Sequence, residues 1–389
     1  MDIFKKSEFL KLADIHEPHC VSIYIPTERS GGEEARYKNN TRLKIQLKEA
    51  SNQLQGFGLA KSEIETYLKP AYELVDSDNN FWSKQSDSLA LFLYADKMEY
   101  YSLPTIVEEY TYISNQLYLQ PLANLLHGSG RHFIMLLSLN DISFFEATEH
   151  TLTVVETEGL IPESMTEAVG TEVEESSLQF RSGHGEQGEA LYHGHGVGSE
   201  TEKKEEISKY FNAVNKGLME MLRDENAPLV VACVDYLFPI YQKNNSYKGL
   251  QDQHISGNHE HTDVLKVKEL AWDIVKDQFN AEYEQAGKRY NEYLDHGKAA
   301  YNPEDVIPAA LNGQAESLFI KRGEHIWGTY QQDTNKIAID AIHKVGNTDL
   351  LNKAAVETVK HGGSVYVVDE EDMLEKGSSV SAVFRYTMQ

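Results

Sequence analysis

Helix-period and strand-period segments alternate along this chain in three successive blocks, which predicts an α/β (α+β) protein of three domains. Three observations carry that reading. Apolar, β-branched runs of strand length recur in every block, as in residues 20–26 (CVSIYIP), 228–234 (PLVVACV) and 364–368 (SVYVV). Long segments with a 3.6-residue apolar period lie between them. The texture breaks at Gly128-Ser129-Gly130 and again in the polar stretch 251–262 (QDQHISGNHEHT), giving expected domains of 1–128, 129–262 and 263–389. A length of 389 residues is itself too great for one ordinary core.

The first block opens with a short helix to about Leu12, then the strand at 20–26 and, after Gly31-Gly32, a helix over 36–54. Leu43, Leu47, Ala50 and Leu54 form its apolar stripe. Lys38, Lys44 and Lys48 fall away from that stripe, and between Arg36 and Lys48 there are five basic residues and no acidic one. In so acidic a chain this is a local candidate for phosphate contact, a solvated helix face being the simpler alternative. Residues 88–94 (SLALFLY) and 98–103 read as a hairpin, and 121–126 as a helix with proline in its first turn.

In the second block, 132–155 reads as three strands joined by turns at Asn140-Asp141 and Glu149-His150. Residues 156–177 carry seven glutamates and no Lys or Arg, an exposed, flexible connection by composition. It leads into a Gly/His-rich loop, YHGHGVGS, in which Gly194, Gly196 and Gly198 alternate with His193, His195 and Val197. Ser199 with Glu202 reads as a capping box opening the next helix. That helix places Ile207, Tyr210, Phe211, Val214, Leu218, Met221 and Leu222 on one side and leaves Lys203, Lys204 and Lys209 outside. The apolar strand 228–234 follows. The third block predicts a long helix over 264–293, a proline-led helix over 303–311, strands at 316–320 and 325–330, a helix over 350–360 ending at Gly362-Gly363, and strands at 364–368 and 378–386.

Composition excludes several classes. A formal charge of −25 argues against a protein that coats nucleic acid, so any RNA contact is local. The two cysteines, Cys20 and Cys233, form neither a disulfide framework nor a metal-ligand spacing. No apolar run approaches the roughly 18 residues of a membrane span, and no signal-peptide core opens the chain. A soluble, cytoplasmic protein is expected. His193 and His195 with His184, and His254 with His259 and His261, are two histidine clusters, but neither shows the spacing of a zinc site, and no metal or cofactor is expected. No Gly-Lys-Ser/Thr follows the glycines, so a nucleotide P-loop is not indicated.

The order of these pieces resembles the class-one peptide chain release factors of archaea and eukaryotes, and more closely their bacterial relatives, the bacterial archaeo-eukaryotic release factor-like (baeRF) proteins. VSIYIPT with the basic helix is similar to the family's first domain, and PLVVACVDYLFPIYQKNNSY after a glycine loop and helix to its middle domain. EDVIPAALNGQAESLFI, KAAVETVKHGGSVYVV and SSVSAVFRY are similar to its last domain, which has the fold of kink-turn-binding ribosomal proteins. The resemblance implies a three-domain release-factor-like architecture, a ribosome or tRNA partner, and a role in ribosome rescue, termination-like release or translational control. It also implies that Arg36, Lys38, Arg42, Lys44, Lys48, Lys203, Lys204 and Lys209 contact RNA phosphates. His193, Gly194, His195, Gly196, Val197, Gly198 and Ser199 stand where release factors keep a catalytic His-Gly-Arg-Gly-Gly-Gln-Ser loop.

The departures limit what is implied. Gly198 replaces the glutamine and keeps only a backbone N–H to orient water; Val197, being β-branched, resists the positive φ open to glycine. The Asn-Ile-Lys-Ser codon-reading motif is not reproduced, Asn39-Asn40-Thr41-Arg42 lying near its place. Two readings stand beside this one: a metal- or histidine-dependent hydrolase of a small or nucleotide substrate, and a protein-binding scaffold without catalysis.

Overall fold

The computed structural model describes residues 3–29, 32–75, 81–82, 85–157, 159–169, 197–259 and 262–387. They form two compact units, one of residues 1–131 with 276–389 and one of His132–Val275.

The first unit opens with α1 (Lys6–Ala13), β1 (His16–Pro26), α2 (Glu33–Gly56) and α3 (Lys61–Val75). Then come β2 (Ser88–Tyr94), β3 (Lys97–Leu103), β4 (Tyr110–Gln116) and α4 (Gln120–His127). The four strands make an antiparallel sheet in the order β3-β2-β1-β4. Strand alternation sends Val21, Ile23 and Ile25 to one face, where they meet the α2 stripe of Leu43, Leu47, Ala50 and Leu54, each fully buried as its spacing predicts. Cys20, Tyr24 and Tyr112 face the other way, into a second core. That core is completed by the chain's last third.

The second unit holds β5 (His132–Leu137), β6 (Ile142–Ala147), β7 (Leu152–Val155), α5 (Met165–Val169), α6 (Val197–Met221), β8 (Leu229–Cys233), α7 (Phe238–Asn244) and β9 (Ile255–Ser256). Their sheet has the order β7-β6-β5-β8-β9, in which β5, β8 and β9 run parallel. The three expected strands of 132–155 form as an antiparallel meander. α6 buries the expected face from Ile207 to Leu222. Two expectations are corrected. The helix begins at Val197, two residues before the expected Ser199 cap. The glutamate-rich connection is not wholly exposed, because Ile161 and Met165 are buried. Its closeness to α6 is set by Gly217, where a Cβ would lie 1.9 Å from the Leu160 carbonyl oxygen. Residues 170–196, and with them His184, His193, Gly194, His195 and Gly196, lie outside the described residues.

α8 (Val264–Leu294) is followed by β10 (Ala299–Ala300), α9 (Pro303–Leu311), β11 (Ala315–Lys321), β12 (Trp327–Gln331), β13 (Lys336–Ile339), β14 (Thr348–Asp349), α10 (Leu350–Lys360), β15 (Ser364–Val368) and β16 (Val380–Phe384). One sheet runs β10-β16-β11-β15 and a small one β13-β12-β14. α9, α10, β11, β15 and β16 pack into the core begun by Phe4, Tyr24 and Tyr112, so the first and last thirds of the chain are buried against each other. Buried polar groups fix the join. Asn352 on α10 accepts from the Leu119 and Gln120 N–H groups at 2.8 and 3.0 Å and donates to the Leu117 carbonyl at 3.0 Å, capping α4 from another element. Asp349, fully buried, caps α10 through the Leu351 N–H and lies 2.7 Å from His325 Nδ1. His325 stacks between Tyr110 and Trp327, with centroids at 4.9 and 5.3 Å.

Candidate functional site

β5, β8 and β9 end together at one edge of the second unit, and beyond their carboxyl ends lies a crevice of about 360 Å³. This is where parallel α/β sheets place ligands, because loops diverge from adjacent strand ends and leave a gap between them. The chain after β5 turns at Ser138–Asp141: Ser138 N–H donates to the Asp141 carbonyl at 3.0 Å, and the Ser138 hydroxyl accepts from the Asn140 and Asp141 N–H groups. Asp141 and Ser143 thereby face the crevice from one side and Tyr236 from the loop after β8. Phe145, Val234 and Leu237 supply apolar lining.

The third wall follows β9. Gly257 adopts φ +131°, and a Cβ there would stand 3.4 Å from His259 Nε2. His259 lines the crevice with both ring nitrogens buried and, among the described residues, without a hydrogen-bond partner. That is unusual, since buried polar side chains are nearly always satisfied. Its neighbour differs: His254 Nε2 is 3.0 Å from Asp235 Oδ1, and its ring stacks on Phe238 at 4.3 Å. Hydrogen bonds from Ser256 and His254 hold the Asp235 carboxyl below the ordinary carboxylate range. Burial pushes the Cys233 thiol at the end of β8 up to about 12, so it is no nucleophile at neutral pH.

The other predicted residues fall elsewhere. Lys203, Lys204 and Lys209 are exposed along α6, in the same unit as the crevice. Val197 and Gly198 belong to the first turn of α6. In the first unit, the basic helix is partly neutralised: Lys38 pairs with Glu28 and Glu34 at 3.3 and 3.1 Å, and Arg42 with Glu109 at 3.4 Å. Lys44 and Lys48 are exposed with no ion pair among the described residues, on the face that also carries Tyr37, 73% exposed. Asn39, near the place of the codon-reading motif, is buried and clamps the Glu28 backbone through Oδ1 at 2.9 Å and Nδ2 at 3.2 Å. Its side chain is spent on the fold.

Among the described residues no three His, Cys, Asp or Glu side chains come together as metal ligands, and no helix is long and apolar enough to cross a membrane. The crevice was only half signalled by sequence. His259 stood out in a histidine cluster, whereas Asp141 and Tyr236 carried no motif and converge only through strand pairing.

Residues 132–277 match the model of Bacterial archaeo-eukaryotic release factor family 7. This segment is release-factor-like. The matched residues end within two positions of the second compact unit, His132–Val275. A comparison with curated proteins gives no sequence match. Among solved structures, similar chains include an archaeal protein (15% identity, TM-score 0.28, all of both chains covered). Another is the archaeal translation termination factor aRF1 (15% identity, TM-score 0.25, 98% of this chain and 99% of that one). A third is Dom34 of S. cerevisiae, a translation termination-like factor (13% identity, TM-score 0.34, 75% of each chain). Superpositions this loose carry no functional weight; the informative likeness is that of the segment matched by the family.

Proposed function

We propose that this chain is a ribosome- or tRNA-associated release-factor-like protein acting in ribosome rescue, termination-like peptide release or translational control. The observation that carries the reading is the family match over 132–277, which falls on a compact folding unit rather than on a scattered motif. In this reading 1–128, 129–262 and 263–389 divide the labour. The last segment takes the part of a kink-turn-binding fold. The stretch from His193 to Gly198 enters a confined ribosomal site, and Gly198 offers a backbone N–H where release factors use glutamine. Lys44 and Lys48 on α2 and Lys203, Lys204 and Lys209 on α6 contact RNA phosphates, their exposure leaving their charge available. Lys38 and Arg42 are held by acidic neighbours and contribute less.

Phosphate contact predicts binding that weakens with salt, by about one counterion's worth of slope per cation removed. Cosedimentation with ribosomes is therefore expected at low salt and reduced at about 300 mM salt, with a Lys44→Glu/Lys48→Glu variant already weak at low salt. Absence of cosedimentation at low salt would overturn the proposal. Peptide release from stalled ribosomes, compared between the native chain and a His193→Ala/His195→Ala variant, tests the loop. Equal release by both removes the histidines from the mechanism.

A further inference from the structure

We propose that the crevice at the carboxyl ends of β5, β8 and β9 is a binding site for an unphosphorylated nucleoside. This rests on the crevice alone and stands or falls separately from the ribosomal reading. His259 is the leading observation. A neutral imidazole offers one N–H donor and one acceptor nitrogen, and here both are buried without a partner among the described residues. Burying such a group is unfavourable unless something supplies the missing bonds. A planar edge that carries donors and acceptors side by side meets whichever ring nitrogen faces the crevice, in either tautomer, and a nucleobase has such an edge.

The rest of the lining fits the same chemistry. The Asp141 carboxylate only accepts hydrogen bonds, matching the amino and imino N–H groups of a base. Phe145, Val234 and Leu237 offer an apolar surface to its ring, and Tyr236, 57% exposed, stands at the margin with its ring free to stack. Ser143 and Thr262, whose hydroxyls make only long bonds of 3.5 and 3.4 Å among the described residues, bring groups of the kind that meet a ribose, while the Ser138 hydroxyl is committed to its own turn. Among the described residues no Lys or Arg lines the crevice, and the Asp141 carboxylate there repels a phosphate. The volume, about 360 Å³, accommodates a base with its sugar.

The test is isothermal titration of the full chain with adenosine, guanosine, cytidine and uridine, and with the 5′-monophosphate of the nucleoside that binds best. A His259→Phe variant keeps a ring of similar size and removes both nitrogens; His259→Gln restores one donor and one acceptor. Thermal unfolding of each variant verifies that it is folded. Saturable binding of one nucleoside is expected, with weaker binding of its monophosphate. His259→Phe should lose about tenfold or more in affinity, and His259→Gln should recover part of it. Three results would each overturn the proposal: no nucleoside bound by the native chain, the monophosphate bound more tightly than the nucleoside, or His259→Phe binding like the native chain.

Discussion

Asn352 shows how one side chain can hold distant parts of this chain together. It is fully buried on α10, and three of its four hydrogen-bonding positions go to the backbone at Leu117, Leu119 and Gln120. Asn352→Ala would strand two N–H groups and one carbonyl away from water, so a loss of about 3 kcal/mol is expected. Urea unfolding followed by circular dichroism measures it; a loss below about 1 kcal/mol would mean that water reaches those groups. His127, at the end of α4, gives a pH-dependent counterpart. Burial, with repulsion from Lys6, lowers its imidazole from 6.5 to about 4. Between those values the unfolded chain binds a proton that the folded chain does not, so stability falls as pH drops through that window and is retained above it. From about pH 7 to about pH 5 the native chain should lose about 2 kcal/mol more than a His127→Gln variant, read from parallel urea melts. Equal losses would assign the acid sensitivity to other groups.

At the scale of elements, the contact between α6 and the segment before α5 depends on a missing side chain. A Cβ at Gly217 would strike the Leu160 backbone, so Gly217→Ala must push that segment away despite alanine's better helix propensity. Destabilisation of about 1–3 kcal/mol is expected, along with faster hydrogen exchange at residues 160–165. Unchanged exchange there would show that the segment does not rest on α6. This contact also marks what the sequence could not disclose. The stripe Leu43, Leu47, Ala50 and Leu54 and the buried face of α6 were legible because a helix repeats its environment every 3.6 residues. Ile161 and Met165 were not, since two apolar residues among glutamates set no period. β4 was missed although Tyr112 and Ile113 are buried in it, because its tyrosines and polar residues resemble a loop when no partner strand is known. The parallel pairing of β5 with β8 joins residues almost a hundred positions apart, and nothing local encodes it. The crevice inherits that difficulty: the glycine-histidine stretch drew attention by composition, while Asp141, Tyr236 and His259 became a constellation only through the fold.

For the molecule as a whole, the first and last thirds of the chain share a core although a separate compact unit lies between them in sequence. Tyr112 is nearly fully buried, and its hydroxyl lies 2.9 Å from Thr348 Oγ1 and accepts from the Asp349 N–H at 3.1 Å. Gln116 adds a bond to Thr348 at 3.0 Å. A fragment ending at Arg131 would leave these groups, together with Tyr24, Phe92, Leu119 and Leu122, facing water. Each large side chain so exposed forfeits about 1.5–3 kcal/mol, and four or five of them equal the whole net stability of a typical domain, about 5–15 kcal/mol. The basic helix α2 and its sheet are therefore not expected to fold without residues 276–389. Residues 1–131 expressed alone should show no cooperative thermal transition and should be digested rapidly by protease. Adding the separately produced 276–389 fragment should restore both the transition and the resistance. A sharp transition in the first fragment by itself would mean that α2 and α3 on one face of the sheet are enough to hold it, and that the shared core is an addition to an already stable unit.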